Sequence, residues 1–351
     1  MKMNLKMKTV GNKIALLGDL HIGVNKNSEE FYETSKKWIK YFIGECIKRK
    51  VNHVFILGDW HHYRDEISVM TLDVSSELMN MFPKNINVHI LTGNHDCYFK
   101  DNSEIHSLQM FKGWENVTVY DKLETIKSSG GKTIGVVPWG CEDEKLEKSD
   151  YVFGHFEIKN FKMNNYTICS KGVDSSSLVK SGADVYTGHF HKYQSKQYKN
   201  GSITYVGSPF QHDFNDVDNE NGFHILDTTT GECEFVKNNN DYPKFKYIKV
   251  SKLKDLNLDD VSNNYCKLQV DTEVKEAALE KLVIKLNSKN PVNLIVDDIT
   301  IKKELDSIEL DDNIGDINIE SSINEFIEKM GEIKHKEDTI ERIKEYYSKK
   351  S

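Results

Sequence analysis

The amino-acid sequence predicts an α/β layered fold. Three observations carry that reading. Between Lys13 and about Gly154, apolar runs of strand length alternate with amphipathic helical patterns. The runs are rich in Val and Ile and several end in Gly, as buried strands do. The chain has 351 residues and is 38% hydrophobic, enough for about two cored domains.

The runs are, in order, KIALLGD, NHVFILGD, NVHILTGN, NVTVYD, KTIGVVPW and DYVFGH. Between the first two, Phe31, Trp38, Ile39, Phe42, Ile43 and Cys46 cover one broad helical face. Between the second and third, Val69, Leu72, Leu78, Met79 and Phe82 are expected to do the same, and Pro83 stops that helix. ADVYTGHFH, SITYVGSP, GFHILD and ECEFVK read as further strands, the last two joined by a hairpin turn at TTTGE, Thr228–Glu232. These elements define a first domain, residues 1–240. FKYIKV, YCKLQV, a helix with Leu279, Leu282, Val283 and Leu286 on one side, and NLIVDDITIKK then predict a small β-β-α-β unit, residues 241–303. Residues 304–320 are acidic and weakly patterned, as a linker is. In residues 321–351, Ser322 and Glu325 have capping-box spacing. Ile323, Phe326, Ile327, Met330 and Ile333, then Ile340, Ile343 and Tyr347, recur at helical spacing. Such a terminal helix pair must dock its apolar face on its own domain or on a partner.

The net charge of −8 excludes global attraction to nucleic acid, so any such contact needs local basic patches, bound cations or a partner. One basic cluster, Lys36, Lys37, Lys40, Lys48, Arg49 and Lys50, reads more simply as a solvated helix face. The six cysteines are scattered with no Cys-x-x-Cys pair, so reduced, buried thiols are expected. The opening MKMNLKMKTVGNK has no apolar stretch of the kind a secretory leader needs, and no run approaches the ~18 apolar residues of a membrane span. A cytoplasmic protein is expected.

The chemistry lies in four short stretches: GDLH at Gly18–His21, GDWHH at Gly58–His62, GNHD at Gly93–Asp96 and GHFH at Gly188–His191. Each follows a predicted strand, and open α/β sheets bind ligands outside the carboxyl ends of their strands. Asp19 and His21 are two apart in extended chain and so can share one crevice. Asp59, Asn94, His95, His155, His189 and His191 sit at other strand ends. Gly before each allows a sharp turn and close backbone approach. This nitrogen and oxygen set, without sulfur, suits manganese, iron or zinc. It exceeds what one ion requires, and two ions sharing a carboxylate is the economical solution. His53, His89, His106, His212, His224 and His335 lack such context and read as surface or structural residues.

Asp-x-His, then Gly-Asp, Gly-Asn-His-Asp, His and Gly-His-x-His, from Asp19 to His191, resembles the calcineurin-like metallophosphoesterases. The resemblance implies a two-sheet α/β sandwich flanked by helices, with a dinuclear site between the sheets. It implies that Asp19, His21, Asp59 and His191 hold one ion, and that Asp59, Asn94, His155 and His189 hold the other. His95 would be the catalytic histidine facing the phosphate and the leaving oxygen.

The spacing from Asp59 to His62 is similar to that of SbcD-type double-strand-break repair nucleases, in which the histidine orients the phosphate. His61 is adjacent, and spacing alone favours His62. VPWGCED at Val137–Asp143, GHFE at Gly154–Glu157 and YVGSPFQHDFND followed by NGFHILD, at Tyr205–Asp227, resemble the same branch and its phage relatives. That likeness implies two divalent ions, manganese in the active form, and DNA as substrate, at double-stranded ends and in single strands. It also implies a small capping domain that positions DNA, an SbcC-type ATPase bound by the C-terminal helices, and a homodimer, with the helix around Ser68–Phe82 a candidate interface. Two other readings stand beside it: a stand-alone enzyme for small phosphate esters, and a scaffold that has lost catalysis.

Overall fold

The computed structural model describes residues 8–141 and 148–298. The expected linker and terminal helices, residues 304–351, lie outside the described residues. The strands are β1 (Thr9–Val10), β2 (Lys13–Leu17), β3 (His53–Ile56), β4 (Asn87–Leu91), β5 (Val117–Tyr120), β6 (Glu124–Ser128), β7 (Thr133–Val137) and β8 (Tyr151–His155). They continue as β9 (Asp184–Gly188), β10 (Gln194–Tyr198), β11 (Gly201–Tyr205), β12 (Gly222–Asp227), β13 (Cys233–Lys237), β14 (Phe245–Lys249), β15 (Tyr265–Val270) and β16 (Asn293–Asp298).

Two sheets form a sandwich. One has the order β13-β12-β2-β3-β4-β5, the other β1-β6-β7-β8-β9-β11-β10. In the first, β2, β3, β4 and β5 run parallel, as do β7, β8, β9 and β11 in the second. Alternation along each strand divides the apolar side chains between two layers. In β2, Ile14 and Leu16 pack between the sheets with Phe55, Phe153 and Tyr186. Ala15 and Leu17 turn to the other face and meet Trp38, Phe42 and Phe223. Parallel strands buried on both faces read as unbroken apolar runs, and that is why the sequence displays them so plainly.

Helix α1 (Glu29–Lys48) buries the expected face: Phe31, Trp38, Ile39, Phe42, Ile43 and Cys46 are all buried. Helix α2 (Val69–Asn80) begins at Ser68, whose hydroxyl accepts from the Thr71 N–H at 3.0 Å. Its register differs from expectation. Leu78, Met79 and Phe82 are buried with Val74, but Val69 is 83% exposed and Leu72 39%. The helix turns Val74 inward, which swings its first turn into solvent. The basic cluster on α1 is a solvated face: Lys36 pairs with Glu77 at 2.9 Å, and Arg49 with Glu45 and Glu234. Cys46, Cys97, Cys169 and Cys266 are buried, whereas Cys233 is exposed on β13 and Cys141 half-buried.

Strands β14, β15 and β16 form a third, parallel sheet, with α4 (Glu276–Asn287) crossing from β15 to β16 after the short α3 (Ser175–Val179) of the sandwich. Leu268, Cys266 and Leu286 lie in its own small core. It is tied to the sandwich by aromatic contact: Phe31 packs against Phe245 and Tyr265, and the Tyr265 hydroxyl donates to Glu30 at 2.8 Å. The Phe245 N–H donates to Gln211 Oε1 at 2.8 Å.

Candidate metal centre

The carboxyl ends of β2, β3, β4, β8 and β9 converge at one edge of the sandwich. Beyond β2 and β3 the two chains stay paired: the His21 N–H donates to the Asp59 carbonyl and the His62 N–H to that of Ile22, both at 3.0 Å. Asp19, His21, Asp59 and His189 all have positive φ, at 50°, 52°, 52° and 94°. Non-glycine residues seldom adopt such backbone, and its clustering marks a site whose geometry the surrounding fold imposes. Two glycines make room. A Cβ at Gly58, which has φ +89°, would lie 2.4 Å from His155 Nδ1, and one at Gly93 would lie 2.2 Å from Asp59 Oδ1.

Four groups of potential ligands result, each with its ligand atoms within 4.8 Å of one another; two of them are His21, His62 and His95, and His191, His212 and Asp216. Of the other two, Asp19, His21 and His191 form one, and Asp59, His155 and His189 the second. Asp59 Oδ2 stands between them, 3.5 Å from His21 Nε2 and 3.4 Å from His155 Nε2. Asn94 Oδ1 belongs with the second group, 2.9 Å from His155 Nε2 and 2.8 Å from His189 Nδ1. All seven candidate ligands are therefore brought together at one place. Asp19 Oδ2 is buried with no hydrogen-bond partner. Burial pushes its carboxyl up to about 7, with the neighbouring Asp59 adding to the push. Two buried carboxylates side by side are costly without cations. Burial, with His155 close by, draws His189 down to about 3, so its ring stays neutral, the form that ligates a metal. Against burial, the Asp59 and Asp216 carboxylates hold His155 and His191 up, to about 9 and about 10, on protons that bound cations would displace. The donor set thus fits divalent cations.

The adjacent histidines separate cleanly. His61 is fully buried, its ring held between the hydroxyls of Ser107 at 2.7 Å and Ser75 at 2.8 Å. His62 turns the other way: its Nδ1 lies 3.3 Å from His21 Nδ1, and its ring stacks on His95 at 5.3 Å. His95 Nδ1 donates to the His62 carbonyl at 2.5 Å, and the His95 N–H donates to Asp59 Oδ1 at 2.8 Å. Both rings are only partly buried, so this pair is the open side of the cluster.

Asp96 fastens the two loops together. Its carboxylate accepts from the N–H groups of His61 at 3.0 Å, Trp60 at 3.4 Å and Gly93 at 2.9 Å. The sequence reading missed two further members. His212 is buried at the edge of the centre, 4.8 Å ring to ring from His191, rather than a remote structural residue. Asp216 accepts from His191 Nδ1 at 3.1 Å and from the His212 N–H at 2.8 Å. The stretch QHDFND was visible, but nothing in its spacing shows that it folds back onto His191. His53, His89, His106 and His224 lie apart: His53 bonds His89 at 3.1 Å, and His106 faces Asp121.

With this geometry in place, comparison with known proteins gives a family. The model described as calcineurin-like phosphoesterase matches residues 12–193. The chain is 28% identical over 241 residues, 65% of its length and 68% of the relative's, to "Exonuclease subunit 1" of Enterobacteria phage T4. It is 22% identical over 262 residues, 69% of its length but 19% of the relative's, to "Uncharacterized protein R555" of Acanthamoeba polyphaga mimivirus. Among solved structures, "GAP50 the anchor in the inner membrane complex of Plasmodium" overlaps 64% of this chain and 88% of its own, with 11% identity and a TM-score of 0.40.

Proposed function

The chain belongs to the calcineurin-like phosphoesterase family and is a metal-dependent phosphoester hydrolase, and from that premise we propose that it is a DNA nuclease cutting phosphodiesters at double-stranded ends and in single strands. The observation that carries the reading is the pair of ligand groups sharing Asp59, with His62 and His95 on their open side.

Asp19, His21, Asp59 and His191 would hold one divalent cation, and Asp59, Asn94, His155 and His189 the other. Manganese suits such a mixed nitrogen and oxygen set. When bound, such a pair supplies Lewis-acid polarisation of the phosphoryl group and a water of lowered pKa. The residues of the chain do the rest. Asp216 fixes the His191 ring through Nδ1, leaving Nε2 to ligate. The His62 carbonyl accepts from His95 Nδ1–H, so in its imidazolium form His95 would carry its second proton on Nε2 and pass it to the departing sugar oxygen. His62, stacked on His95, would orient the phosphate.

DNA is favoured by two features. One relative carries the name of an exonuclease subunit. And although the chain is acidic overall, a cavity of about 930 Å3 beside the third sheet gathers Lys237, Lys244, Lys246 and Lys249 with Tyr166 and Tyr247, alongside Asp218 and Glu220, with Lys237 paired to Glu220 and Lys246 to Asp260. Lysines interleaved with aromatics suit a nucleic-acid strand. In this reading residues 1–240 are the nuclease, and residues 241–303 position DNA. Residues 321–351 bind an SbcC-type ATPase. Val69, Met70 and Leu72, exposed on α2, give an apolar surface suited to a second copy of the chain. The protein acts in recombination and double-strand-break repair, in the host cytoplasm if a phage encodes it. Among the described residues, no helix is long and apolar enough to cross a membrane.

The test is cleavage of linear and single-stranded DNA by the purified chain with manganese, beside His95→Ala and an aryl phosphodiester. Manganese-dependent DNA cutting that vanishes in the variant, with metal content retained, is the expected result. Cleavage of the aryl diester alone would replace the nuclease by a small-molecule phosphoesterase.

A further inference from the structure

Next to the second ligand group lies a cavity of about 360 Å3, within the range of small-ligand sites. His155 forms part of its wall, so the cavity adjoins the second ligand group. The rest combines apolar Pro138, Trp139, Phe156 and Val173 with three charged residues, Lys100, Asp101 and Glu157. Trp38 and Trp60 are fully buried in the core, but Trp139 is only partly covered. Its ring centroid lies 5.4 Å from that of His189 and 5.9 Å from that of His155.

The Trp139 ring is braced. Its indole N–H donates to the Lys100 carbonyl and its backbone N–H to that of Thr92, both at 2.8 Å. The next residue, Gly140, has φ +74° and packs so closely on Asn102 that a Cβ would lie 2.7 Å from the Asn102 Cα. On the far wall Gly172 lies equally tight against the Glu157 carbonyl. A partly exposed indole fixed at both ends can stack on a flat ligand without the entropy cost of ordering a side chain.

Resting on the nuclease reading above, the geometry points to a nucleobase subsite: the cavity takes one unpaired base of the nucleotide whose phosphate lies at the metal centre, stacked on Trp139. The choice of occupant follows from position. A ligand filling this cavity from the side of His155 carries a phosphate at one end and a flat, largely apolar group at the other. Lys100 and Glu157 offer a donor and an acceptor for the polar groups of a heterocycle. A base enters the cavity only out of its stack, so the enzyme acts on frayed ends and single strands ahead of intact duplex.

The test is calorimetric binding of deoxyadenosine monophosphate and of deoxyribose 5-phosphate to the manganese-loaded full chain, in wild type, Trp139→Ala and Trp139→Phe. The base should tighten wild-type binding by about tenfold, the scale of one base–aromatic stack. Trp139→Ala should bind both ligands alike, and Trp139→Phe should recover most of the difference. Equal binding of the two ligands by wild type overturns the subsite, as does a base preference untouched in Trp139→Ala. Failure of the nuclease reading would show separately, as wild-type protein that cuts no DNA.

Discussion

The Asp216 carboxylate accepts a hydrogen bond from His191 Nδ1 at 3.1 Å, which makes a residue 25 positions downstream part of the metal centre. The arrangement is a carboxylate–histidine pair of the kind that sets ring orientation and ligand basicity. Asp216→Asn should weaken manganese binding at the Asp19–His21–His191 group by about tenfold or more. Calorimetric titration should show the loss in one binding step, with the second unchanged.

His61 and His62 should separate by phenotype. His61 is buried between Ser75 and Ser107, so His61→Ala should cost stability, about 2 kcal/mol or more, through the unpaired Ser107 hydroxyl and a cavity, while Ser75 keeps its bond from the Trp60 indole. His62 faces the cluster and is partly exposed, so His62→Ala should leave the unfolding midpoint nearly unchanged and remove phosphodiester cleavage. Urea unfolding beside a cleavage assay checks both.

Gly58→Ala should strain the centre even without metal. The position has φ +89°, and the new Cβ would meet His155 Nδ1, which donates to the Leu57 carbonyl at 2.7 Å. A loss of about 1–3 kcal/mol is expected in chelator-treated protein. Urea unfolding in chelator separates this effect from metal loss.

Acid should destabilise the fold through buried histidines away from the centre. Burial draws His89 down to about 3 and His224 down to about 4, against an ordinary value of 6.5. Both are neutral in the folded protein, and unfolding lets them protonate. Their contribution is complete above pH 6.5 and is lost as pH falls toward those folded values. The loss is about 1.4 kcal/mol per pH unit for each group. His89→Phe, which keeps the ring stacked on Phe55, should flatten the slope of stability against pH between 6.5 and 4 by one group's share.

The parts of this molecule that were legible in the sequence share a physical cause. β2, β3, β4, β8 and β9 are buried on both faces, so their side chains cannot alternate with polar ones. The candidate ligands are legible because each follows such a run directly. β10, an edge strand with Ser195, Lys196 and Gln197 exposed, and the half-exposed β6, flanked on one side only by the two-residue β1, look like loops in composition. The rotation of α2 depends on which neighbours Val74 and Leu78 meet, and helical period alone does not determine it. Asp216 and His212 reach the centre by a tertiary fold-back after β11, which leaves no periodic trace. Trp139 was visible as part of VPWGCED, but its brace on Lys100 and its place beside His189 come only from the packed fold.

Sharing of Asp59 by two ligand groups is read out in the manganese stoichiometry of the metal-loaded chain after gel filtration, for wild type, Asp59→Asn and His189→Ala. Two ions per wild-type chain, about one in His189→Ala and loss of both in Asp59→Asn is the predicted result. One ion in wild type, or an Asp59→Asn variant that keeps two, would contradict it.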